Sequence, residues 1–268
     1  MAGVSTKAIK LRIKSMESTR QITKAMELVA ASKLRGAQAR AIASRPYFGA
    51  LYEAMSEIYY SGHCTDSPYF TKREAGRPVF IVIAGDRGLA GGYNANIFRL
   101  MRGYTDALVY PIGKRACDRF GNGSQSAERF SAKEALDLCR RLCADFVAGE
   151  YDRLGIVYTR YESMMTQTAT VSWVLPLSLE GEGSVGGMIF EPDERTVLDA
   201  AVPEYLSGVL TAAVRESFAC EVAARRSAMD SAGKNAEEMI ANLQLSYNRA
   251  RQGAITQEIT EIVAGSGQ

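Results

Sequence analysis

The sequence predicts a small α/β domain set between two long terminal helices that pair as a coiled coil. Three observations lead there. All seven prolines (46, 68, 78, 111, 176, 192 and 203) lie between residues 46 and 203, and proline is the strongest helix breaker, so both terminal segments can run as helices. The terminal segments repeat apolar residues at steps of three and four, whereas the middle alternates short β-branched runs with helical stretches. Charge divides along the same borders: residues 1–45 carry a net +8, residues 46–203 a net −4 and residues 204–268 a net −2, within 268 residues whose overall charge is +2.

In chain order, the first helix shows Ile9, Ile13 and Met16, then Ile22, Met26 and Val29. The step from Met16 to Ile22 shifts the seam by one position and reads as a break in the heptad. Val79–Ala84 is a continuous β-branched apolar run, as in a strand buried on both faces. A glycine-rich loop (residues 85–92) and a helical stretch from Asn94 to Tyr104 follow it. A second strand (107–112) precedes a helix over 114–120, and Ser131 with Glu134 forms a capping box that opens a helix to about Ala148. Residues 154–160 and 168–175 read as further strands. Alternation of this kind implies a small α/β domain.

The last segment steps through Leu206, Val209 and Ala213, thins to alanines between Ala219 and Ala236, and resumes with Ile240, Leu243, Tyr247, Arg251, Ile255, Ile259 and Ile262. Gly208, Gly233 and Gly253 weaken it by about 1 kcal/mol each relative to alanine. As one helix, Leu206 to Val263 would span roughly 87 Å, against a diameter of about 50 Å for a compact chain of this length. Such a helix must extend beyond the globule, and its apolar stripe needs cover, which the first helix can supply. The alternative is several short helices joined by turns. The expected divisions are residues 1–60 and 204–265, one discontinuous coiled coil, around a central domain at 76–195.

Much chemistry is excluded. There is no run of 18 apolar residues, so no membrane-spanning helix is expected, and Met1–Lys7 lacks the apolar core of a signal peptide. Five cysteines without framework spacing suit a reducing compartment. Cys139 and Cys143 read as buried thiols on one helix face. His63 is the only histidine, which excludes His-based triads and His-rich zinc sites. Glu237 and Glu238 are adjacent and point apart on a helix, as a solvated face does. The glycine loop lacks the Gly-Lys-Ser/Thr ending of a phosphate loop and the G-x-G-x-x-G dinucleotide spacing. No catalytic site, metal or cofactor is expected. The basic first segment suits nucleic acid, an anionic membrane surface or an acidic protein.

Three motifs carry a resemblance. The stretch from Gln21 to Leu34 (QITKAMELVAASKL), the glycine signature Asp86-Arg87-Gly88-Leu89 with Gly91-Gly92 and Asn94, and the C-terminal Leu243–Gln252 (LQLSYNRARQ) with Ile255–Gly265 (ITQEITEIVAG) resemble, in order and spacing, the γ subunit family of rotary ATP synthases. Ala223-Ala224-Arg225 and Met229 extend the match. Ala90 departs from the cysteine common there, the connections around 61–78 and 121–130 are compact, and the dithiol insertion of chloroplast members is absent. No presequence precedes the match, as in a bacterial chain or a mature form.

The resemblance implies an antiparallel coiled coil of the terminal helices with a central Rossmann-like domain. It also implies the role of a rotor shaft within a hexamer of α and β subunits, docked on the ε subunit and the membrane c-ring, on the cytoplasmic face of a bacterial membrane. Catalysis would belong to β, with no nucleotide or nucleic acid bound by this chain. Contacts to the hexamer would fall to Met26, Arg87, Arg225, Arg251, Gln252, Thr256 and Glu258. The rival readings are a Rossmann-type nucleotide-binding enzyme, motivated by the α/β centre, and a basic coiled-coil scaffold, motivated by the first segment.

Overall fold

The computed structural model describes residues 6–43, 45–62, 64, 66–73, 76–163, 166–178 and 189–265; His63 and the first five residues lie outside them. The elements are α1 (Thr6–Ala43), α2 (Arg45–Tyr60), β1 (Val79–Ile83), α3 (Tyr93–Met101), β2 (Leu108–Ile112), α4 (Lys114–Phe120), α5 (Ala132–Ala148), β3 (Leu154–Tyr161), β4 (Gln167–Leu175) and α6 (Glu194–Gly265). Two compact units emerge, Ser32–Ala224 and Met1–Ala31 with Arg225–Gln268, and the division cuts through both long helices.

In the Ser32–Ala224 unit the strands form one sheet of order β2-β1-β3-β4, parallel across the first three, with β4 antiparallel on the edge. Every residue of β1 is buried. Val79, Ile81 and Ile83 point to one face, into a core with Met55 and Ile58 of α2, Leu142 and Phe146 of α5, and Leu198, Leu206 and Leu210 of α6. Phe80 and Val82 point to the other face, against Ile97 and Met101 of α3. Strand alternation between two apolar layers is what the unbroken run Val79–Ala84 requires. With helices on both faces, the domain has the expected Rossmann-like layering. The capping box forms: the Glu134 amide donates to Ser131 Oγ (3.2 Å) and the Ser131 amide to Glu134 Oε2 (2.9 Å).

All five cysteines are free and buried. Burial raises each thiol above its ordinary value, Cys143 and Cys220 to about 12. Cys139 and Cys143 are the helix-face thiols expected of them.

In the other unit α1 and α6 run antiparallel: Arg20 meets Glu237 at 3.5 Å, Thr23 lies over Gly233, and Thr6–Arg12 share a groove with Leu243–Gln257. The seam of α1 differs from expectation. Ile22 and Val29 are each 58% exposed, while Ile9, Thr23 and Ala30 are buried. The repeat is in fact unbroken, stepping through positions 9, 13, 16, 20, 23, 27, 30, 34 and 37, and the apparent break arises because Arg20, Thr23 and Glu27 occupy seam positions. Small and polar residues let the helices approach closely there, which a purely apolar reading misses.

The start of α6 also differs. It begins at Glu194 rather than after Pro203 and runs for 72 residues with that proline inside. A proline in a helix interior costs about 3 kcal/mol. Leu198, Val202 and Leu206, all within 1% of complete burial, offset that cost by packing into the core. An 18-residue stretch of α6 is apolar enough by length and composition to cross a membrane, but more than half of it is buried within the protein, as in a core helix. At the far end, residues 251–265 are exposed on every face, so the apolar stripe through Ile255, Ile259 and Ile262 finds no cover among the described residues.

Candidate interaction surfaces

The glycine-rich loop turns the chain from β1 into α3. Its ends are tied by the Gly85 amide, which donates to Asn94 Oδ1 at 2.9 Å. Gly85 is needed for a close approach: a Cβ there would lie 2.7 Å from the buried Glu221 carboxylate. Ala90 is buried beside Tyr93 and Cys220, and the Tyr93 hydroxyl meets Ser217 Oγ at 2.7 Å. Burial drives the Tyr93 phenol far above its ordinary value, so it stays neutral. The inner side of the loop is thus packed onto α6, while Leu89 and Arg87 face outward, the Arg87 side chain 68% exposed. Its guanidinium stands 3.9 Å from Glu128, whose other carboxylate oxygen holds Lys33 Nζ at 2.6 Å.

Asp86 turns from this loop toward its neighbours. Its carboxylate accepts from Ser126 Oγ (2.7 Å) and from the amides of Ala127 (2.8 Å), Glu128 (3.1 Å) and Lys114 (3.3 Å). Those donors are of the kind a phosphate would use, and a carboxylate of the chain already engages them. A second anion in the same place would meet like charge.

The remaining sequence-derived contact residues lie on the helices. Met26 is half-buried on α1, beside the seam rather than in it. Arg225 is half-buried on α6, whereas Arg251, Gln252, Thr256 and Glu258 are exposed. Thr256 Oγ1 donates to the Gln252 carbonyl at 2.9 Å, placing the two side chains one turn apart on one face. The seven residues therefore fall in four places: Arg87 on the glycine loop, Met26 on the flank of α1, Arg225 midway along α6, and Arg251, Gln252, Thr256 and Glu258 in its C-terminal part.

The sequence reading missed a further surface. Ten of the fifteen large apolar side chains exposed among the described residues fall in the helical unit: Leu11, Ile22, Leu28 and Val29 on α1, and Met239, Leu245, Ile255, Ile259, Ile262 and Val263 on α6. Soluble chains rarely concentrate apolar side chains outward unless a partner covers them. On α1, Leu11, Ile22 and Val29 recur on one outward stripe at 4-3 spacing, through Ser15, Ser18 and Ala25. Continuing the heptad through polar residues would have exposed this second stripe.

Comparison with known proteins gives a consistent result. The family model described as ATP synthase matches residues 5–267. An ATP synthase gamma chain of Ruminococcus albus is 43% identical over 279 aligned residues, covering 97% of each chain. A sodium ion specific ATP synthase gamma chain of Acetobacterium woodii is 38% identical and covers 96% of each. Among solved structures, a chain of the Euglena gracilis mitochondrial ATP synthase (OSCP/F1/c-ring, rotational state 3) superposes with a TM-score of 0.70 at 18% identity, over 98% of this chain and 93% of that one.

Proposed function

The chain belongs to the ATP synthase gamma family, and on that premise we propose that it is the central rotor shaft, transmitting rotation between a membrane c-ring and a catalytic hexamer of α and β subunits. It supplies no catalytic group of its own. Rotation of an asymmetric shaft takes the β sites in turn through their states and couples ion movement to ATP synthesis or hydrolysis. The observation that carries this reading is the outward apolar surface of the α1–α6 pair, whose seam is closed while its flanks and the last turns of α6 remain uncovered. A shaft turning in a bearing needs such a surface, since apolar contact is non-directional and holds no angle in preference to another.

Polar residues then supply the angular preference. Arg251, Gln252, Thr256 and Glu258 offer hydrogen bonds of about 1 kcal/mol each, up to about 3 when charged, enough to register a rotor position and weak enough to break on each step. Arg225 acts lower on the same helix. Met26 meets an acidic segment of β without charge of its own, and Arg87, exposed on the loop, reaches acidic groups of ε or of the hexamer. The complex sits on the cytoplasmic face of the membrane, with this chain peripheral to it.

Co-purification with α and β from a tagged chain, and ATP-driven ion pumping in vesicles carrying the reconstituted complex, test the reading. Gln252→Leu with Thr256→Ala leaves an assembled complex with reduced turnover or reduced pumping per ATP. Met26→Lys lowers pumping per ATP by placing a cation beside acidic β residues; lost assembly instead would place Met26 in the structural seam. Nucleotide binding by the isolated chain that weakens with Arg87→Ala would overturn the reading in favour of an enzyme.

A further inference from the structure

In an open α/β sheet a ligand binds at the carboxyl ends of the parallel strands where the strand order reverses, here between β1 and β3, and the donors to Asp86 gather at that same end of the sheet on the β2 side of β1. The chain puts its own carboxylate at that end. Asp86 lies three residues beyond β1, and its two oxygens take the four donors described above, three of them backbone amides. Gly113 makes the approach possible: it has φ +96°, and a Cβ there would lie 2.1 Å from the Ala84 carbonyl and 3.3 Å from Asp86 Oδ1. The 124–128 loop is seated at its other end by backbone bonds, Gly113 N–H to the Ser124 carbonyl (2.8 Å) and Ser124 N–H to the Pro111 carbonyl (3.1 Å).

The consequence runs outward through Glu128. Its amide is pinned by Asp86 at 3.1 Å, and its carboxylate faces Lys33 of α1 at 2.6 Å. Exposed ion pairs contribute little when both side chains must be ordered to form them. Here the backbone of one partner is already fixed, so less freedom is lost on pairing. We infer that Asp86 is a positioning residue, an internal anion that clips the 124–128 loop to the end of the sheet and, through Glu128, holds Lys33 of α1 against the glycine-rich loop. Its mechanical side rests on the shaft reading above: twist carried by α1 enters the sheet at the end of β1 through this clip as well as through packing.

Amide hydrogen exchange on the assembled complex and on the isolated chain tests the clip itself. Asp86→Ala raises exchange at Ala127 and Glu128 about tenfold, as expected when charged hydrogen bonds are lost, with α5 unchanged beyond its first turn. Added acetate restores protection by re-entering the vacated place. Unchanged exchange, or exchange indifferent to acetate, overturns the clip. Should Asp86→Ala fail to fold, Asp86→Asn keeps the volume, removes the charge and is read the same way, without the acetate step.

The mechanical side is read as ions pumped per ATP. Asp86→Asn and Lys33→Gln each lower it, and the double variant is no worse than the poorer single one because both act along one connection. Unchanged pumping, or losses that multiply, overturn the connection. A wild-type chain that does not assemble with α and β defeats the shaft reading alone, since the exchange experiment on the isolated chain still reads the clip.

Discussion

The two compact units hold themselves together by different means. In the Ser32–Ala224 unit a sheet carries helices on both faces, and large side chains such as Phe80, Phe146, Ile81 and Ile83 are fully buried. In the helical unit small and polar residues, Thr23, Ala30, Gly233 and Ala236, share the seam with Ile9, Met229 and Ile240, and ten other large apolar side chains are turned outward. One unit places most of its apolar surface in its own core; the other turns much of it outward, where the proposed shaft would meet the hexamer. Burial therefore marks stability in the first, and exposure marks the proposed contact surface in the second.

The largest effect expected from this contrast comes from Phe146, fully buried against Tyr69 and Tyr151 with the Arg73 guanidinium 4.5 Å above its ring. Phe146→Ala lowers the stability of the isolated chain by about 3–5 kcal/mol. Ile259→Ser, at a side chain 56% exposed, leaves stability within about 0.5 kcal/mol yet weakens assembly with the hexamer. Urea unfolding and a pull-down separate the two, and an Ile259→Ser chain that unfolds early would break the contrast.

Two glycines sharpen it further. A Cβ at Gly85 would meet the buried Glu221 carboxylate at 2.7 Å, so Gly85→Ala costs about 1–3 kcal/mol through overpacking. A Cβ at Gly233 would meet only Thr23 Oγ1, at an ordinary 3.5 Å, so Gly233→Ala gains up to about 1 kcal/mol of helix propensity. Opposite shifts in thermal midpoint are the expected result.

The smallest effect is the cap of α5. The Ser131 amide and hydroxyl hold the Glu134 carboxyl below its ordinary value. A lowered carboxyl stabilises the fold above its unfolded pKa, near 4.3, and that contribution fades as pH falls through the lower folded value. Ser131→Ala removes about 1 kcal/mol at neutral pH and less at pH 3, as a stability series across that interval will read.

Legibility in the sequence follows the same contrast. The strands and helices of the sheet were readable because both faces of β1 bury and because Ser131 and Glu134 cap α5 with side chains of their own. The seam of α1 was misread because hydrophobicity points to Ile22 and Val29, which face outward, while the helix pair closes on Thr23 and Ala30. Pro203 hid the first ten residues of α6, since its cost is local and visible while the burial of Leu198 and Val202 is tertiary and not. Of the contact surfaces, Arg87 was legible as an exposed residue after a buried strand. Asp86 was not, because its partners lie about 30 to 40 residues further along the chain.

The five buried cysteines have a practical consequence for watching such a molecule turn. With every native cysteine buried and its thiol raised above its ordinary value, the wild-type chain is expected to react slowly with maleimides. A single cysteine placed at Leu245, where the native side chain is 59% exposed, would take a fluorophore or a bead alone, with no need to strip the native residues first.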